Sequence, residues 1–152
     1  MNLRLREIST LTEAREHLPL LERAARESAA TLGEPVREGT AQRFLERHFD
    51  RLETVIVVAE EQPGQEILGV AASAPFEDPL TLLVRPMLVV LWVEPRLRQR
   101  GIARALWLEL KRLLGAREAL GLVMRTGTND DALISMGERW GLVRQWDLLS
   151  SE

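Results

Sequence analysis

One stretch constrains this chain more than any other. Across residues 82–104 a long apolar run of strand type stops at Pro95, passes through an arginine-rich turn, and opens at Gly101 into an amphipathic helix. That helix carries Ile102, Leu106, Leu110 and Leu113/Leu114 on one stripe and ends at Gly115. Its first backbone N–H groups have no acceptor within the helix, and the peptide dipoles add roughly half a positive charge there. Gly101 lets the backbone curl with no Cβ in the way, and Ala103 keeps the first turn small. Arg96, Arg98, Arg100 and Arg104 crowd into the same acid-free stretch. Together these features fit a phosphate or pyrophosphate, although a helix start of this kind, taken alone, is as readily structural. The Lys-Ser/Thr pair of nucleoside-triphosphate loops is missing and Gly101 is isolated, which argues against a triphosphatase or a nicotinamide enzyme.

The rest of the chain supplies a fold for this segment. Residues 3–8 alternate Leu and Arg and predict a half-buried strand. Thr10 and Glu13 have capping-box spacing and open a helix to about Leu32, with Pro19 near the start of its main segment or at a kink. Ala41, Phe44, Leu45, His48, Phe49 and Leu52 mark the buried face of a second helix. Strands are predicted at 54–59, 67–74 and 82–93, with turns at 62–64 and 75–79. Pro86 inside the third of these implies a bulge or an unpaired stretch. A helix at 101–114, a strand at 120–126, a helix at 132–140 and a strand at 142–149 complete the order β-α-α-β-β-β-α-β-α-β. The class is mixed α/β (α+β) with one strand–helix–strand crossover.

With 152 residues, no internal repeat and no linker, the chain reads as a single domain, 1–152. No apolar run approaches the roughly 20 residues needed to span a bilayer, and no secretory h-region follows Met1, so the cytoplasm is the expected location. A net charge of −3 puts nucleic-acid binding behind other readings. The absence of cysteine excludes disulfides, thiolate metal sites and a thiol nucleophile. Two distant histidines make a poor ligand set, so no metal is expected.

Arg98-Gln99-Arg100-Gly101-Ile102-Ala103 resembles R/Q-x-x-G-x-G/A, the acyl-CoA pyrophosphate motif of the GNAT superfamily of N-acetyltransferases. Leu91-x-Val93-x-Pro95 is similar to that family's fourth strand, and the element order matches over essentially the whole chain. The resemblance implies a central, mostly antiparallel sheet of six to seven strands with four helices and a splayed strand pair. It also implies acetyl-CoA as cosubstrate and an amine as acceptor. Backbone groups of Leu91, Trp92 and Val93 would bond the pantetheine amides and the acyl carbonyl at the splay. The N–H groups of Arg98, Gln99, Arg100, Gly101, Ile102 and Ala103 would hold the pyrophosphate, with Arg104 at the rim. Asn129, followed by Ala132 and Gly141-Leu142, resembles the segment whose asparagine approaches the pantetheine arm, at a spacing one residue longer than usual.

The chain departs from the family in its proton handling. It has no tyrosine, where many relatives use one as general acid for the thiolate, and Met87 stands where some relatives place a basic carboxylate. Ser135 is a stand-in donor, against the commoner fate of a helix serine as an exposed or self-bonded group. His48 borders the side of the fold where relatives admit the acceptor and could take a proton from an ammonium; the plainer reading is a packing histidine. Glu34, Glu38, Glu77 and Asp78 would rim the acceptor entrance, or are merely solvated loop acids. The four tryptophans read as core or interface residues. Two functions follow: direct acetyl transfer from acetyl-CoA to a primary amine of a small molecule or protein, or a catalytically silent acyl-CoA-binding or interaction module. The exposed edges of such a sheet leave room for a homodimer.

Overall fold

The computed structural model describes residues 2–30, 33, 35–62, 66–125 and 131–143. β1 (Arg4–Glu7) leads into α1 (Leu11–Glu16), α2 (Leu18–Ala30) and α3 (Thr40–His48). A three-strand meander follows: β2 (Ile56–Glu60), β3 (Ile67–Glu77) and β4 (Val84–Val93). A single 3-10 turn at Pro95–Leu97 delivers the chain to α4 (Ile102–Ala116), and β5 (Val123–Met124) and α5 (Asp131–Arg139) follow.

The sheet runs β1-β2-β3-β4-β5, antiparallel throughout except for the parallel β4–β5 pair. The mixed class and the mostly antiparallel sheet agree with the sequence. The strand count among the described residues is five, against six to seven expected, and the strand predicted at 142–149 falls almost wholly outside them. Among the described residues five helices stand against the four expected, because the predicted first helix is two. Pro19 has no N–H and its ring crowds the carbonyl four residues back, so α1 closes on His17, whose N–H donates to Ala14 O, and α2 starts afresh with proline in its first turn.

β2 is apolar on both faces because both are covered. Val57 and Ala59 join Ile102, Leu106, Trp107, Leu110 and Leu114 of α4 in one core layer. Ile56 and Val58 face the opposite layer, with Leu21 and Ala24 of α2 and Ala41 and Leu45 of α3. Gly69 sets how closely α4 can lie on the sheet. A Cβ there would stand 2.9 Å from Leu106 Cδ1, 3.2 Å from Trp92 O and 3.3 Å from Ile102 Cγ2. Trp107 and Trp140 stack at 5.6 Å between ring centroids and tie the end of α5 to α4. Trp92 and Trp107 are buried as expected, and Trp146 lies outside the described residues.

The predicted bulge in β4 exists, but not at Pro86. Pro86 lies directly opposite Pro75, and the register is regular there. Two facing prolines need no bulge if both ring nitrogens turn away from the partner strand. This pairing also carries β3 through Pro75 to Glu77, where the sequence predicted a turn. The register shifts instead between Ala72 and Ser73: Ser73 pairs with Leu88 and Ala72 with Val90, so Val89 is the surplus residue.

Candidate active site

Among the described residues β4 and β5 pair only at Met87↔Val123 and Leu88↔Met124, so no described strand lies on that side of β4 from Val89 onward. The bulge decides which backbone groups face the gap. Glu94 N–H donates to Leu68 O at 2.8 Å, so Trp92 and Val90 turn their amides toward β3, while Leu91 and Val93 turn theirs outward. Trp92 therefore contributes no backbone group to the open edge.

Side chains from elsewhere reach that edge. Ser28 Oγ accepts from Leu91 N–H at 3.3 Å and lies 3.4 Å from Leu91 O, to which it donates. Arg98 Nε donates to Val93 O at 3.1 Å. The Arg98 guanidinium also lies 3.3 Å from Glu27 Oε2, and the same carboxylate accepts the buried Trp92 indole N–H. Arg98 is thus folded back along the end of β4. Neither Glu27 nor Ser28 is evident from local motifs, although Ser28 leaves a trace: it falls four residues after buried Ala24 and seven after buried Leu21, a hydroxyl on an apolar stripe.

The turn beyond β4 is built for close approach. Gln99 and Gly101 both adopt left-handed backbone, at φ 65° and 80°. Ala105 N–H is the donor to Gly101 O, at 3.0 Å, and no side chain caps α4, so the amides of Ile102, Ala103 and Arg104 have no intrahelical acceptor. A Cβ on Gly101 would meet nothing within 4 Å. Gln99, Arg100, Gly101 and Arg104 are exposed; Ile102 is buried against the sheet and Ala103 packs beside it. Arg98 therefore links the open edge of β4, through Val93 O, to the turn that leads into the uncapped start of α4.

The remaining sequence candidates are scattered. Ser135 is exposed on α5, and Met87 is half-buried in the paired part of β4. Asn129 and Glu34 lie outside the described residues. His48 packs edge-on against Phe44 at 5.5 Å, and its Nδ1 is buried with no hydrogen-bond partner among the described residues. Burial, and then the charges of Arg51 and Arg47, hold it below the ordinary imidazole value of 6.5. The neutral form is therefore the one the fold prefers, and the unfolded chain binds more protons near and below that value. Stability from this group is full above pH 6.5 and is lost as pH falls through the depressed folded value. His48→Leu should flatten the acid-side loss in urea-unfolding curves taken from about pH 7 to 5. It should leave turnover within about three-fold, and a loss of orders of magnitude would restore His48 as a base.

The family model described as "Acetyltransferase (GNAT) family" matches residues 20–141. No curated protein matches in sequence. Among solved structures, the ribosomal-protein-alanine N-acetyltransferase of Brucella melitensis biovar Abortus 2308 superposes with a TM-score of 0.68 at 19% identity, over 100% of this chain and 99% of that one. A predicted acetyltransferase with acetyl-CoA from Clostridium acetobutylicum gives 0.73 at 17% identity, over 99% and 96%. AAC(6')-Iy, in complex with the bisubstrate analog CoA-S-monomethyl-acetylneamine, gives 0.73 at 15% identity, over 100% and 98%. At these identities the structural likeness speaks to fold.

Proposed function

Because the chain belongs to the GNAT acetyltransferase family, we propose that it transfers an acetyl group from acetyl-CoA to a primary amine of a small molecule or protein, acting as a single cytoplasmic domain. One observation carries this reading. The open edge of β4, with Leu91 and Val93 turned outward, runs into the uncapped start of α4, so a long ligand with a diphosphate at one end can lie along both.

The residues fit such a ligand. The amides near Gly101 to Arg104 suit a diphosphate, because the left-handed turn clears the approach and the helix dipole favours an anion. Exposed Arg100 and Arg104 add charge-assisted donors at the rim. Outward groups of Leu91 and Val93 suit the pantetheine amides and the acyl carbonyl. Acetyl-CoA supplies an activated thioester, which a neutral amine opens with loss of one proton while the departing thiolate gains one. Leu91 N–H is the donor placed for the oxygen that gains charge, once Ser28 yields it. Positioning supplies most of the rate and solvent relays the protons, since the chain has no tyrosine and Met87 replaces a carboxylate.

Those two departures also support a second reading, a silent acyl-CoA-binding module. Titration calorimetry with acetyl-CoA, paired with a thiol-release assay across an amine panel, separates the two. We expect micromolar-range binding of the order usual for enzyme substrates together with turnover on at least one amine. Binding without turnover on any amine favours the silent module, and no binding at all removes both readings.

A further inference from the structure

Glu27 joins the two ends of the site. Its Oε1 accepts from Arg23 Nε at 3.3 Å; its Oε2 accepts the Trp92 indole N–H and lies 3.3 Å from the Arg98 guanidinium. Arg23 also sits over the Trp92 ring, 5.2 Å from its centroid. A carboxylate beside an indole is the pair of groups that recognises an organic cation. Here two guanidinium groups serve that pair, and one of them, Arg98, belongs to the turn that leads to α4.

Arg98 therefore stands between one carboxylate and the turn proposed for a diphosphate. Its contact with Glu27 joins two well-exposed side chains, the class of ion pair that holds most weakly. A diphosphate at the start of α4 carries more charge and presents several oxygens, so it outcompetes a single carboxylate for the guanidinium. Once Arg98 turns to it, Glu27 keeps Arg23 and the indole but loses one cation. Its side chain is 38% exposed, and Ser28, the next residue, touches the Leu91 amide.

Resting on the acetyl-CoA reading above, we propose that Glu27 is the docking carboxylate for an alkylammonium acceptor and that Arg98 is its placeholder, drawn away when the coenzyme's diphosphate binds. Glu27 acts as a positioning residue: it holds the cation beside the open edge of β4, and the proton the amine must lose before attack passes to the water that reaches this carboxylate. The acceptor class is then aliphatic amines that are cationic in solution. Arylamines, neutral at the same pH, gain nothing from Glu27.

The test uses the full chain, acetyl-CoA, and paired alkylamine and arylamine panels. Glu27→Gln preserves size and keeps an acceptor for the indole. It should tighten acetyl-CoA binding by about two- to five-fold, the scale of one lost exposed competitor. It should raise KM for alkylamines at least roughly ten-fold, with kcat within about three-fold and arylamine KM unmoved. In the wild type, prior CoA should strengthen alkylamine binding in calorimetry. Arg98→Gln should erase that dependence by leaving Glu27 open from the start. Unchanged alkylamine KM or weaker acetyl-CoA binding in Glu27→Gln, or undiminished coupling in Arg98→Gln, would overturn the assignment. In each of those cases acetyl-CoA still binds the wild type and the reading it rests on survives; a wild type that binds no acetyl-CoA defeats both.

Discussion

Gly101→Glu should abolish acetyl-CoA binding while the protein remains folded. The residue stands at φ 80°, where an L side chain costs about 1–2 kcal/mol of backbone strain. Its Cβ would touch nothing within 4 Å, so no steric cost is added. A carboxylate at the head of α4 interacts favourably with the dipole and offsets part of the strain, by about 0.3–1 kcal/mol. The same carboxylate occupies the place proposed for a diphosphate and repels it. The lost charge-assisted contacts and the repulsion together should weaken binding by at least about 100-fold, roughly 2.7 kcal/mol. Gly101→Ala carries the strain without the charge and should cost only several-fold. Calorimetry reads the affinity and a thermal melt reads the fold; affinity near the wild-type value in a folded Gly101→Glu protein would remove the diphosphate from this turn.

The second large effect concerns stability alone. Glu60 at the end of β2 is 1% exposed, and Arg6 of β1 reaches it diagonally across the strand pair, with Nε to Oε1 at 3.0 Å. Arg6 also pairs with Glu13 of α1, which fastens that short helix to the sheet edge. Arg6→Met leaves a buried carboxylate without its cation, a change that costs about 3–5 kcal/mol in well-buried pairs. Arg6 is itself 27% exposed and water can partly replace it, which puts the expected loss near the lower end, about 3 kcal/mol. At this chain length that corresponds to a fall in Tm of roughly 6–12 °C. Adding Glu60→Gln to Arg6→Met should recover part of the loss, because the uncompensated charge is gone. A single variant as stable as the wild type would mean that the pair contributes nothing.

How far the sequence could be read depends on whether its signals are local. The strand into α4 was legible because Pro95, Gly101 and the apolar stripe of α4 all act within a few residues of themselves. Pro19 was legible as a helix start, but not that His17 would close a separate helix before it, since the capping box at Thr10 and Glu13 suits one long helix as well as two short ones. Pro86 predicts a bulge or an unpaired stretch because a proline has no N–H to give. No N–H is wanted there, because Pro86 and the facing Pro75 both turn their ring nitrogens away from the partner strand, and that pairing belongs to register and not to either segment. The contacts that matter most at the candidate site join α2 to β4 and to the turn after it across 63 to 71 residues of chain. No local pattern announces that Ser28 meets Leu91, or that Glu27 and Arg98 share a charge. Only the hydroxyl on an apolar stripe hinted at an appointment elsewhere.

The surplus residue in β4 has a consequence for how such a chain tolerates change. Below Val89 the strand turns the amides of even-numbered residues toward the β5 side: Ser73 N–H is given to Val55 O, so its partner Leu88 faces away from β3. Above Val89 the odd-numbered residues, Leu91 and Val93, take over. Excising Val89 would leave an unbroken ladder in which Leu88 still meets Ser73 and Val90 still meets Ala72, so every later residue keeps its partner and its side. A one-codon deletion at that point would thus be absorbed by the bulge itself, straightening the strand while the outward amides of Leu91 and Val93 stay where they are.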